Sequence, residues 1–350
     1  MRMCAAGLPG RSYQSGNRWV RPVEEWVRGI TNKAALQEPL FSIKKEDGPL
    51  MPSAYVHEVI AQDALAQLTL PEGWNAACDA ALQLGAQGPD LFFYYAVLSP
   101  LPPHREIRFG HWLHKHKTGK VLVSLVQEAA NRGPVAKAFV LGFLAHYAGD
   151  TTIHPYVAGW AATGWEHLPL EKVLEAWLYR KRGGQGIPLQ LSQFSHLTPD
   201  AKEEAAAILS AALRRALPKE ARWISPKRMM HAISDAGKVT RLVYSPSGSR
   251  YEFMRKVENL LHYPMLITNH MIPLTWQGDP DNAGHKPWRN PDAPEEVRTE
   301  SVEDLVAVAT ARTVRYMQAA LDYWAGLREL DEVAQLLGNL SYGNGLPCQG

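Results

Sequence analysis

The stretch "LAHYAGDTTIHPY", residues 144–156, sets His146, Asp150 and His154 four residues apart inside an apolar run. Four residues advance an α-helix by about one turn, so the three side chains stack on one face. Leucines at that spacing would signify packing. A carboxylate between two histidines does not, because burying it is costly unless a positive partner neutralises it. A divalent metal is one such partner. Any fold for this chain must therefore bring further donors to that stripe.

Such donors are plentiful nearby. His167 and Glu171 repeat the one-turn spacing in "HLPLE", and His57, Asp90 and His114 lie upstream. Histidine is the commonest nitrogen ligand of zinc, and carboxylates supply oxygen ligands. Each residue also has an ordinary reading. A His-x-x-x-Asp or His-x-x-x-Glu pair alone is a surface pair, His57 a core histidine, and Asp90 a first-turn carboxylate. Eight donors between residues 57 and 171 make the joint reading as a metal site the stronger one.

The chain has 350 residues, 46% of them hydrophobic, with a formal net charge of +2. Nothing in that charge calls for a polyanionic partner. Residues 1–50 carry eight Lys/Arg and five Asp/Glu, a net of +3, with weak periodicity. They read as a flexible extension or a start-site artefact, and Met51 opens the patterned chain. Cys4, Cys78 and Cys348 form neither a CxxC pair nor a disulfide framework. With no apolar run of membrane-spanning length and no secretory signal, a cytoplasmic location is expected.

The periodicity predicts an all-α, multi-helix fold. Helices are expected over about 53–68, with Ser53 as cap, then 75–85 and 89–98. Two long helices follow over 111–132 and 135–154, the second stopped by Pro155. Further helices are expected at 168–181, 199–216, 226–235, 250–262, 301–325 and 328–338. Residues 273–296 are too rich in Pro, Gly and Asp to be regular, and no strand pair is expected. Residues 51–180 read as a metal-binding core. Residues 181–350 read as its helical C-terminal part or a second helical subdomain.

Taken in order, "MPSAYVHEVIAQDAL", "GAQGPDLFFYY", "HKHKTG", "HYAGDTTIHPY" and "HLPLE" resemble the bacterial zinc-dependent phospholipase C family, a relative of the single-strand-specific zinc nucleases. More weakly, "GHKPWRNP" and "ESVEDLVAVA" continue the likeness. The resemblance implies an α-helical fold with up to three zinc ions in a cleft. Carried over, Asp90, His114, His146 and Asp150 would hold one zinc, and His154, His167 and Glu171 a second. His57 and a bridging Asp150 would hold the third, which in the family is completed by a free N-terminal amine. His116 is the alternative to His114. The gap from Asp150 to His154 is two residues shorter than in the secreted enzymes, and no signal-exposed N-terminal tryptophan is visible.

The implied chemistry is metal-activated water attacking phosphorus, with Asp90 as general base. The substrate would be a phospholipid or another phosphodiester, reached through transient contact with a membrane surface. A nuclease would instead want an aromatic slot, which Tyr94, Tyr95, Trp112, Trp160 and Trp165 could line. A non-catalytic helical scaffold with a structural zinc is the third reading.

Overall fold

The computed structural model describes residues 54–96, 105–161, 164–188, 197–262 and 267–348; the side chains of 164–166 are excepted. The expectations for residues 1–50 and for a Ser53 cap lie outside them. The described residues form a mostly helical structure, all-α in class: α1 (Ala54–Leu65), α2 (Ala76–Gly85), α3 (Arg105–Leu113), α4 (Thr118–Ala129), α5 (Pro134–Trp160), α6 (Gly164–Lys181), α7 (Pro199–Ala216), α8 (Pro226–Val243), α9 (Ser249–Leu260), α10 (Val302–Trp324) and α11 (Leu330–Leu337). No described helix is long and apolar enough to cross a membrane.

Helix starts follow local chemistry. The Asn75 side chain accepts from Ala77 N and Cys78 N ahead of α2. Thr198 and Ser225 cap α7 and α8, each with proline in the first turn. Ser301 and Asp304 form a capping box on α10.

Helix α5 is the spine. It is apolar on every side, as a helix surrounded by protein must be, and α1, α2, α4, α6, α7 and α10 all pack against it. Glycine makes its closest approach possible. A Cβ on Gly142 would fall 2.0 Å from Leu82 O, and one on Gly85 2.0 Å from Phe139 O. The backbones of α2 and α5 therefore touch. The core draws on both halves of the sequence, joining Leu82 and Phe139 to Ile208, Ala236 and Met317.

Five local expectations are corrected. The helix expected over 111–132 is two helices, α3 and α4, broken where Lys117 adopts a left-handed φ of 54°. Residues Gly88–Tyr94 form a 3-10 helix and not an α-helix. Pro155 does not end α5, which continues to Trp160; only one helical hydrogen bond is forfeited, the one that Thr151 O would accept. Finally, residues 273–296 and their flank do contain regular structure. Trp288–Asn290 (β1) pairs antiparallel with Ala293–Arg298 (β2), with Trp288 opposite Arg298 and Asn290 opposite Ala293. Helix α8 also runs eight residues beyond the expected 235.

Candidate metal centre

The stripe on α5 meets donors from four other segments. From α1, His57 Nε2 lies 3.0 Å from Asp150 Oδ1. The 3-10 helix supplies Asp90, whose Oδ1 is 2.8 Å from His114 Nε2 and whose Oδ2 is 3.6 Å from His146 Nε2. Asp150 Oδ2 is 3.0 Å from His146 Nε2, and its Oδ1 is also 3.4 Å from His154 Nε2. From α6, Glu171 Oε1 stands 3.0 Å from His154 Nε2 and 2.9 Å from His167 Nε2. All eight sequence candidates thus form one chain of contacts, and Asp150 is its hub. The break between α3 and α4 explains His114: chain reversal there turns its ring toward Asp90. His116 lies outside, stacked on Trp112 with its Nδ1 on Trp112 O.

Each inner histidine is aimed from behind. The Nδ1 of His114 donates to Gly110 O at 2.7 Å, that of His146 to Ala86 O at 3.1 Å, and that of His154 to Tyr342 O at 2.9 Å. A carbonyl only accepts, so Nδ1 carries a proton in all three and Nε2 is left to face the carboxylates. Such backing is what metal-bound histidines require. Gly88 permits the arrangement, because at its φ of 52° a Cβ would lie 2.1 Å from His146 Cδ2.

Three observations test whether a metal fits. Asp90, His114, His146 and Asp150 offer four donor atoms within 4.8 Å of one another, and His154, His167 and Glu171 offer three. Ligands each about 2.1 Å from a tetrahedral zinc stand ~3.4 Å apart, close to the 2.8–3.6 Å contacts here. Secondly, His57 Nδ1, His146 Nε2 and both Asp150 oxygens are buried without an aligned hydrogen bond. Buried polar atoms rarely stay so without a further partner. Thirdly, a cavity of about 20 Å³ opens between His57, Asp150, His154 and Glu171, room for a single ion or water. The donor set fits zinc.

Charge coupling is strong. Burial alone would raise the Asp150 carboxyl, but His146, His154 and His57 hold it well below the usual range. Burial would lower His154, yet Asp150 and Glu171 push it up to about 10. Burial would likewise lower His146, but Asp150 and Asp90 overcome it and raise the ring. Glu171 is lowered by His167 and His154 against its burial. Protons and a cation compete for these same lone pairs.

Residues 56–224 match the family model described as zinc dependent phospholipase C. Over these residues the chain is similar to the zinc-dependent phospholipase C family. No curated protein and no solved structure matches the chain. A zinc-dependent family and this donor set agree on the metal.

The matched segment leaves out what closes the site. Residues 338–348, far beyond the matched segment, form a strap across it. Tyr342 N donates to His114 O at 2.9 Å, and the Tyr342 ring packs on His114, His146 and Tyr147. The Tyr147 hydroxyl donates to Leu337 O and accepts from Leu340 N, pinning the strap to α5. Thr118 donates to Leu340 O at 2.8 Å. The sequence reading missed this strap, since its key contact is a main-chain carbonyl. It also missed a buried Lys172–Glu175 pair, at 2.7 Å, one residue beyond Glu171. The aromatic slot is not assembled. Tyr94 is core, Tyr95 rests on His231, Trp112 on His116 and Trp160 on Tyr156; the Trp165 side chain lies outside the described residues.

Proposed function

We propose that this chain is a zinc-dependent phosphodiester hydrolase of phospholipase C type. The observation that carries the reading is the convergence of His57, Asp90, His114, His146, Asp150, His154, His167 and Glu171 in one cluster, buried but for the half-buried His154 and His167. Asp90, His114, His146 and Asp150 would hold one zinc, and His154, His167 and Glu171 a second. His57 and Asp150 Oδ1 would contribute to a third. Bound zinc supplies a Lewis acid that polarises phosphoryl oxygen and acidifies water.

The chain's own residues supply the rest. Asp90 Oδ1 is engaged by His114, while Oδ2 has only the longer 3.6 Å contact with His146. Oδ2 is therefore the oxygen that orients the attacking water and takes its proton. Asp150 keeps α1 and α5 ligands in register through both oxygens. Tyr342 and the strap exclude bulk water from the His114 and His146 side. Three carboxylates are outweighed by two divalent cations, so the loaded site is cationic and selects an anionic phosphodiester.

The test is metal analysis of the purified protein together with headgroup release from phosphatidylcholine. Bound zinc with turnover that chelation abolishes is expected. Protein without zinc, or zinc-loaded protein that releases no phosphorylated headgroup, refutes the reading.

A further inference from the structure

Helix α9 packs on the core through Tyr251 and Met254 and carries a second apolar face that points away from it. Its one buried residue is a carboxylate, Glu258. Phe253, the half-buried Val257, Leu260 and the capping residue Leu261 recur at helical spacing and form one stripe. That stripe faces water: Phe253 is 63% exposed, Leu260 78% and Leu261 59%. Among the described residues nine large apolar side chains are exposed, and five lie between residues 242 and 267. The exposure is therefore a patch and not a scatter, and patches of this kind mark interaction surfaces.

The outward orientation is locked from within. Glu258 Oε1 accepts from Ile267 N and Thr268 N, and Oε2 accepts from Thr268 Oγ1 at 2.6 Å. At the other end, Arg250 donates to Leu242 O at 2.8 Å and to Tyr244 O at 3.1 Å. A buried carboxylate with three donors is not released easily. The helix cannot roll its apolar stripe inward without breaking that anchor.

The surroundings select the occupant. Residues 226–262 carry seven Lys/Arg and three Asp/Glu, a net of +4 in a chain whose total is +2. Arg250 and Lys256 lie beside the stripe on α9 and are exposed, while Arg255 turns away from it and pairs with Glu252 at 2.7 Å. An apolar stripe rimmed by cations is the form that helices lying in the headgroup layer of a bilayer take. The patch also leads toward the metal centre. The turn Thr268–His270 beside α9 packs against α6, the helix of His167 and Glu171.

We propose that the outer face of α9, with Phe253, Val257, Leu260 and Leu261 flanked by Arg250 and Lys256, docks the protein on anionic phospholipid bilayers. This rests on the phospholipid reading of the site, but its test does not need turnover. The probes are vesicles of phosphatidylcholine alone and of phosphatidylcholine mixed with phosphatidylglycerol, and the readout is co-sedimentation of the full chain. Wild type should sediment with the anionic vesicles and much less with the neutral ones. Leu260→Ser with Leu261→Ser should lower partitioning at least about tenfold. Lys256→Glu should lower the preference for anionic vesicles, as added salt does. Both variants should hydrolyse a soluble phosphodiester at the wild-type rate.

Wild type that stays in solution with anionic vesicles overturns the proposal, as do variants that sediment like wild type. A wild-type dimer that the serine variant converts to monomer gives the stripe to a second copy of the chain instead. Docking without headgroup release sinks the phosphodiesterase reading alone. Hydrolysis of the soluble substrate without sedimentation sinks the docking alone.

Discussion

Gly149→Ala sets helix propensity against the geometry of the metal centre. Gly149 lies within α5, where alanine in place of glycine ordinarily gains about 1 kcal/mol. Here the new methyl would fall 2.6 Å from His57 Nδ1 and 3.0 Å from His57 Cε1. Ordinary contact begins near 3.4 Å, so the ring must retreat by roughly 0.8 Å from the Nδ1 contact. Metal ligands tolerate only about ±0.2 Å. Overpacking between α1 and α5 costs about 1–3 kcal/mol, so the metal-free protein should change by no more than about 2 kcal/mol in net stability. The zinc proposed between His57 and Asp150 should nevertheless be lost. Metal content and thermal melts with zinc or chelator give the assay. A variant that melts within a few degrees of wild type under chelation but retains less zinc is expected. If Gly149→Ala keeps the wild-type metal content and affinity, His57 is not a ligand and the reasoning fails.

Asp90→Asn should lower phosphodiesterase turnover by a factor on the order of 10²–10⁴; an unchanged rate would remove Asp90 from the reaction. Tyr147→Phe strips the strap of two buried hydrogen bonds. It should cost about 2–3 kcal/mol in urea denaturation and speed amide exchange over 338–348, and unaltered exchange there would show that the strap is held by other contacts. His270 is pushed down to about 4, by burial first and then by the Lys172 charge. Because the unfolded chain binds that proton near pH 6.5 and the folded chain does not, stability is whole above about 6.5 and falls toward pH 4 by up to about 3 kcal/mol. His270→Gln should remove that part of the pH dependence, and parallel wild-type and variant curves would contradict it.

The stripe on α5 was legible because four-residue spacing is a property of the helix itself. His57, Asp90 and His114 have no such spacing, and only their order in a family-like set pointed to them. Their meeting depends on features with weak sequence signals. The reversal at 114–117 puts a lysine, and no glycine or proline, in the left-handed region. Pro155 misled in the opposite direction, because a helix packed on all sides survives the loss of one hydrogen bond. The strap's contribution to His154 comes through a carbonyl, which every residue carries and which no pattern can announce. Gly88 and Gly149 matter through what their missing side chains leave room for, visible only once His146 and His57 are in place.

That carbonyl also sets an order on biosynthesis. All eight candidate ligands have been made once Glu171 is added, yet the acceptor that fixes His154 arrives 188 residues after it in the chain. Tyr342 must also reach back to His114. A nascent chain can gather its donors early, but the assembled centre waits for residues 338–348 to be synthesised and to fold back across α5. Metal loading in final form is thus a late event, and chains cut short within the strap carry every ligand without the backing that orients them.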